Sequence, residues 1–169
     1  MIKLIVFDLD DTLLDTSSLL IPIARTPEFY NRIKKPLPLM EGALENLITL
    51  SKNYTLALLT YGHVPSQQQK AKSLGIEHLF KHLCFADPAL EETKLSYFKK
   101  LIKSEGLRKD ELLSVGNRIT TDIREAKMAG GLTCHFRYGE HIDEKGSKPE
   151  DVPDFTISHH RDLRNVCKL

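Results

Sequence analysis

Short apolar runs bounded by turn residues recur along this 169-residue chain, and between them the apolar positions repeat with helical spacing. The runs predict strands over residues 3–7, 55–60, 83–85, 112–115 and 133–136, with a short sixth over 155–157. The stretches between them predict helices over 42–52, 66–74, 93–104, 122–129 and 162–166. In the first of these, Ala43, Leu44, Leu47 and Ile48 are expected to face a sheet. Such alternation of strand and helix predicts an α/β fold, a Rossmann-like three-layer sandwich around a central, mostly parallel sheet. Between residues 16 and 39 the pattern breaks: Pro22, Pro27, Pro36 and Pro38 rule against one long helix and predict a short flap. The tail from Pro149 is expected to complete the sheet edge and end in a helix.

Each buried run ends in polar residues. Asp8 to Asp11 follow the first, Thr60-Tyr61-Gly62 end the second, and Gly116-Asn117 end the fourth. In open α/β sheets ligands bind outside the carboxyl ends of the strands, so these residues are expected on one rim. Asp8 and Asp10 are two apart and point to the same side of an extended backbone, with Leu9 pointing away. Two adjacent carboxylates suit two tasks, one binding a cation and attacking, the other exchanging a proton with a leaving group. Taken alone, D-x-D also serves as a helix cap or a turn. The Thr60 hydroxyl and the backbone N–H groups after it suit phosphate oxygens.

Composition narrows the picture little. Lys plus Arg is 24 and Asp plus Glu is 23, so no overall field draws the chain to nucleic acid or membrane, and only a local basic patch stays open. Length predicts a single domain over residues 1–169. Cys84, Cys134 and Cys167 lack ligand spacing and read as reduced thiols; with no signal-peptide pattern and no apolar run of about 20 residues, a cytoplasmic protein is expected. His63, His135, His141, His159 and His160 show no ligand spacing and read as surface or packing residues, and Gln67-Gln68-Gln69 reads as a solvated helix face.

Four segments, taken in order, resemble the haloacid dehalogenase-like superfamily of phosphohydrolases. DLDDTL is similar to its D-x-D-x-[TV] motif, with Asp8, Asp10 and Thr12 in register. LLTYG is similar to the strand ending in Ser or Thr, with Tyr61 where Asn is usual. Lys94 matches the third motif, with Leu95 where proline is common, and GNRITTD resembles the acidic fourth, with Asn117 at its first acidic position and Asp122 at its second. The resemblance implies the fold topology of that superfamily and a Mg²⁺-dependent phosphomonoester hydrolase working through an aspartyl-phosphate. It implies Asp8 as nucleophile, Asp10 as proton donor and acceptor, Thr60 and Lys94 on the phosphoryl group, and Thr60, Tyr61, Gly62 and Lys94 as the substrate-binding set. Mg²⁺ would be held by Asp8, the Asp10 carbonyl and Asp122, with Asn117 beside them.

Neither gap between motifs has room for a large lid, so residues 16–39 are expected to act as a mini-cap. By resemblance, such members act on bulky or macromolecular phosphorylated substrates, or form oligomers that close the site. Arg25, Arg32, Lys34 and Lys35 lie in the first gap and suit an anionic substrate or ordinary solvation equally. The expected partner is thus a phosphorylated small molecule or macromolecule, with nucleic acid and an oligomer left open and no membrane. A catalytically idle phosphate- or protein-binding scaffold is the alternative, motivated by Asn117, Leu95 and Tyr61. A receiver-like phosphoacceptor would need an aspartate where LLTYG has none.

Overall fold

A computed structural model of the chain describes residues 1–169. Six strands, β1 (Leu4–Phe7), β2 (Thr55–Tyr61), β3 (His82–Ala86), β4 (Leu112–Gly116), β5 (Leu132–Phe136) and β6 (Phe155–Ile157), form one parallel sheet in the order β3-β2-β1-β4-β5-β6. The helices are α1 (Thr16–Leu19), α2 (Pro27–Ile33), α3 (Ala43–Leu50), α4 (Val64–Leu74), α5 (Lys94–Ser104), α6 (Arg124–Ala129) and α7 (Leu163–Val166).

The sheet is buried on both faces, which is why its strands read as near-continuous apolar runs. Ile5 and Phe7 of β1 pack with Leu56, Leu58, Leu113 and Val115 against Ala43 and Leu47 of α3 and Ala71 and Leu74 of α4. Leu4 and Val6 point the other way, joining Ala57 and Leu59 against Phe98 and Leu101 of α5 and Ala126 of α6. Truncating a fully buried core residue such as Phe7 would cost about 3–5 kcal/mol.

The β1 strand pairs with β2 on one side, Leu4 opposite Thr55, and with β4 on the other, Leu4 opposite Leu112. From β1 the chain winds outward through β2 to β3, then returns to β4 and winds the opposite way to β6. The reversal opens a crevice at the carboxyl end of β1, between those of β2 and β4.

All six predicted strands are present, the sixth as the edge strand β6, with α7 closing the tail. Residues 16–39 form α1, a 3-10 turn over Ile21–Ile23 and α2, and anchor through Leu20, Ile33 and Leu37 in the core. Two expectations need correction. In α3 only Ala43 and Leu47 face the sheet; Leu44 and Ile48 are 47% and 44% exposed, and Asn46 and Leu50 take the buried positions. The inward stripe runs 43, 46, 47, 50, and Asn46 can join it because its Nδ2 donates to the His160 carbonyl. The helix expected over 122–129 starts only at Arg124, after a π-helical turn over Ile119–Ile123 that contains Asp122.

Candidate active site

The crevice at the end of β1 holds a cleft of about 190 Å³ lined by Asp8, Asp10, Thr60, Tyr61, Lys94 and Asn117, among others. The β1 ladder runs one residue past the strand, the Asp8 N–H donating to the Val115 carbonyl at 2.9 Å, which fixes the Asp8 backbone at the sheet rim. The chain then turns, with Asp11 in the left-handed region at φ 53° and Leu9 fully buried. Asp8 and Asp10 therefore open on the same cleft while Leu9 points into the core, as the alternation predicted. Asp11 is a turn residue, accepting from the Ser17 N–H at 2.8 Å and the Ser17 hydroxyl at 2.6 Å, and Asp15 caps α1 by accepting from the Ser18 N–H.

Lys94 is the first residue of α5, which Thr93 caps, and its ammonium lies between two carboxylates. Nζ donates to Asp8 Oδ1 at 2.6 Å and to Asp122 Oδ1 at 2.5 Å. The other Asp122 oxygen accepts from the Arg118 N–H at 3.0 Å, so Asp122 ties its own turn to Lys94 and does not cap α6. Gly116 makes this possible, because a Cβ there would overlap the Asp122 carboxylate. Burial is the largest influence on Asp8 and pushes its carboxyl up to about 7; Lys94 works against it, and the Asp122 charge adds to it. Burial also opposes the Lys94 charge, but Asp122 and Asp8 outweigh it and raise the pKa.

Asp10 is held differently. Its two oxygens accept from the Lys70 ammonium at 2.6 and 2.7 Å, from Gln67 Nε2 at 2.9 Å, and from the Thr16 hydroxyl. Burial favours the neutral acid, but the Lys70 charge and hydrogen bond override it and hold the carboxyl below its usual range. Lys70 and Gln67, both buried, were not among the sequence candidates, and Gln67 corrects the reading of residues 67–69 as a solvated face. The overlooked signal is a stripe on α4 at Gln67, Lys70, Ala71 and Leu74, whose apolar end packs in the core and whose polar end reaches the rim.

Thr60 is the last residue but one of β2 and is 1% exposed. Gly62, at φ 152°, lets the chain turn over Gln67 Nε2, which a Cβ would crowd, but its N–H is already committed to the Ala86 carbonyl at 3.1 Å. Gly62 thus contributes a turn, not a donor. By the alternation of a parallel strand, the Tyr61 N–H faces the β1 side instead. Asn117 lines the cleft, with Nδ2 donating to the Tyr138 carbonyl at 3.3 Å. His135 and His160 are buried and bond the carbonyls of Asn117 and Thr12, whereas His141 lines the cleft. Of the first-gap residues only Thr16 and Ile21 line the cleft; Arg25, Arg32, Lys34 and Lys35 do not.

No three Asp, Glu, His or Cys side chains converge here as a ready ligand set. Of the expected ligands, Asp8, Asp10 and Asn117 line the cleft and offer oxygens, whereas Asp122 is not on its wall and has both carboxylate oxygens engaged, one by Lys94 and one by the Arg118 N–H. Asp8 Oδ2 has only a 3.5 Å contact from the Thr12 hydroxyl and is free to take a ligand. A hard, partly hydrated cation such as Mg²⁺ fits that donor chemistry.

Comparison with known proteins bears on the same region. The family described as haloacid dehalogenase-like hydrolase matches residues 22–135, which starts beyond the DLDDTL turn. A glyceraldehyde 3-phosphate phosphatase from Methanopyrus kandleri is 30% identical over 135 residues, 79% of this chain and 57% of that protein, so this chain spans little more than half its length. Another protein of that name, from Pyrococcus furiosus, is 25% identical over 226 positions, covering 99% of this chain and 93% of its own. As this chain has 169 residues, at least 57 of those positions have no counterpart in it. The fold is shared with the HAD-hydrolase YfnB from Bacillus subtilis, a structure determined bound to magnesium, at a TM-score of 0.71 and 19% identity over 97% of each chain.

Proposed function

This chain belongs to the haloacid dehalogenase-like hydrolases, and we propose that within that family it is a Mg²⁺-dependent phosphatase of small phosphomonoesters. The observation that carries this reading is the pair Asp8 and Asp10 opening on one cleft with Thr60, while Lys94 joins Asp8 to Asp122. The relatives that are phosphatases of a three-carbon phosphate support a small substrate. Residues 16–39 serve as a minimal cap, supplying Thr16 and Ile21 to the wall. The free thiols Cys84, Cys134 and Cys167 suit a cytoplasmic setting.

In the first step an Asp8 oxygen attacks phosphorus and the bond to the leaving oxygen breaks, giving an aspartyl-phosphate on Asp8. Thr60 and the Tyr61 N–H orient the phosphoryl oxygens, and Lys94 offsets the charge of Asp8 and the incoming dianion. Asp10 gives a proton to the leaving oxygen, then takes one from the water that attacks phosphorus, which releases phosphate and restores the Asp8 carboxylate. Mg²⁺, held by Asp8, the Asp10 carbonyl and Asp122 with Asn117 alongside, would supply the positive charge that lets a carboxylate approach a phosphate dianion. Because Lys70, Gln67 and Thr16 stabilise the ionised form, Asp10 rests ready for the water step and short of a proton for the first. Substrates with acidic leaving groups should therefore react fastest.

The test is release of p-nitrophenol from p-nitrophenyl phosphate with Mg²⁺, with EDTA, and by Asp8→Asn. Mg²⁺-dependent release lost in the variant is the expected result. Release that survives in Asp8→Asn would remove Asp8 as nucleophile, and no release with any divalent metal would favour the idle scaffold, which the neutral Asn117 motivates.

A further inference from the structure

We infer that the cleft carries a second anion site built on Arg118 and so takes phosphomonoesters that also bear a carboxylate. The inference rests on reading the cleft as a phosphomonoester site and names the class of ester. Arg118 lines the same cleft as Asp8, Thr60 and Lys94. The Arg118 backbone is fixed by its N–H bond to Asp122 Oδ2, the carboxylate that Lys94 joins to Asp8. Position relative to the reacting groups is therefore set by the same hydrogen-bond chain that sets Lys94.

The guanidinium itself is under-used. Nε is buried and has no hydrogen-bond partner. Its nearest anion, Glu144, lies 3.9 Å from a terminal nitrogen, beyond hydrogen-bond reach. Glu144 does not need Arg118, because its oxygens already accept from the Ile119 N–H and the Thr120 hydroxyl, each at 2.6 Å. The side chain as a whole is 38% exposed, so its terminal nitrogens, which have no acceptor within hydrogen-bond distance, are the ones a ligand oxygen can reach. Guanidinium edges match planar, two-oxygen acceptors, which a carboxylate or a phosphate provides.

Charge decides between those two. A carboxylate brings one negative charge, which one guanidinium balances, whereas a second phosphoryl group would bring about two into a cleft already lined by Asp8, Asp10, Asp11 and Glu140. The relatives named for glyceraldehyde 3-phosphate act on an ester with an uncharged far end, so this chain is expected to differ from them in preference.

Two three-carbon esters of like shape test the site, 3-phosphoglycerate with its carboxylate and glycerol 3-phosphate without it. The readout is the ratio of kcat/KM for the first over the second, which cancels general damage to the enzyme. Wild type should favour 3-phosphoglycerate; Arg118→Gln should cut the ratio roughly 10- to 100-fold, the worth of a charge-assisted hydrogen bond, and Arg118→Lys should keep part of it. An unchanged ratio in Arg118→Gln, or no preference in wild type, would overturn the inference. If neither ester nor p-nitrophenyl phosphate is hydrolysed, the phosphatase reading fails and the site is decided by calorimetry on Asp8→Asn. Tighter binding of 3-phosphoglycerate, lost when Arg118→Gln is added, would uphold the site, and equal binding of both esters would overturn it.

Discussion

Asp8→Asn should stabilise the metal-free protein increasingly as pH rises. In the fold the Asp8 carboxyl is raised from 3.8 to about 7, first by burial and then by the Asp122 charge, against the pull of Lys94. Between those two values the folded chain holds a proton that the unfolded chain has lost. Stability contributed by this group is therefore intact at low pH and drains away as pH rises through about 7. Each tenfold in a protonation equilibrium is worth ~1.4 kcal/mol, so the full gap amounts to ~4 kcal/mol by pH 8. The amide in Asp8→Asn carries no charge at any pH and escapes that cost. For a chain of this size ~4 kcal/mol corresponds to a change in Tm on the order of 10 °C. Thermal melts of both proteins in EDTA, from pH 5 to pH 8, read the effect as a difference in Tm that grows in favour of the variant. A difference that is flat with pH, or that shrinks, would refute the argument that ionised Asp8 is held at a cost. Adding Mg²⁺ at pH 8 should then raise the wild-type Tm and leave the variant almost unmoved; equal rises in both would remove Asp8 from the cation site.

Two further outcomes follow from the same cleft. Lys70→Met removes the ammonium that keeps Asp10 ionised, so turnover of alkyl phosphates should improve relative to p-nitrophenyl phosphate by roughly 10-fold or more, even as absolute rates fall; a ratio unaffected by the variant would mean that Lys70 does not govern the Asp10 proton. Asn117→Asp should lower the Mg²⁺ concentration for half-maximal activity several-fold, and an unshifted Mg²⁺ titration would show that this position does not face the cation.

Strand positions were legible because the sheet is buried on both faces, so each strand announces itself as an apolar run whatever its neighbours are. The rim residues Asp8, Asp10, Thr60 and Lys94 were legible because each sits at the end of a strand or the start of a helix, where local pattern and motif coincide. What was not legible depends on contacts across the fold. Lys70 meets Asp10 from 60 positions away; its place on a stripe with Ala71 and Leu74 hints that it turns inward, but which group it meets becomes visible only once the helix is docked. Arg118 is similar: its unpartnered Nε is a property of the packed π-helical turn, not of GNRITTD as a string. The α3 face was misjudged because Asn46, a polar residue, turns inward to meet a carbonyl that arrives from residue 160.

The charges around the cleft also settle why closely set carboxylates are tolerable here. Asp8, Asp10 and Asp122 are met by Lys94 and Lys70, which leaves one negative charge in the buried group. A phosphomonoester dianion entering such a cleft is repelled, so turnover requires the cleft to gain positive charge before the ester arrives. With one divalent cation bound, the same group carries one net positive charge, and Arg118 on the cleft wall adds another. An aspartate at position 117 would return the buried group to neutrality. Asn117→Asp should therefore bind Mg²⁺ more tightly yet hold the dianion less well, raising KM for the ester while lowering the metal requirement. Asn117 is on this argument a trade in which weaker cation binding is exchanged for a cleft more attractive to doubly charged substrates. That trade is of most use to an enzyme whose substrate brings a third negative charge, as an ester with a carboxylate does.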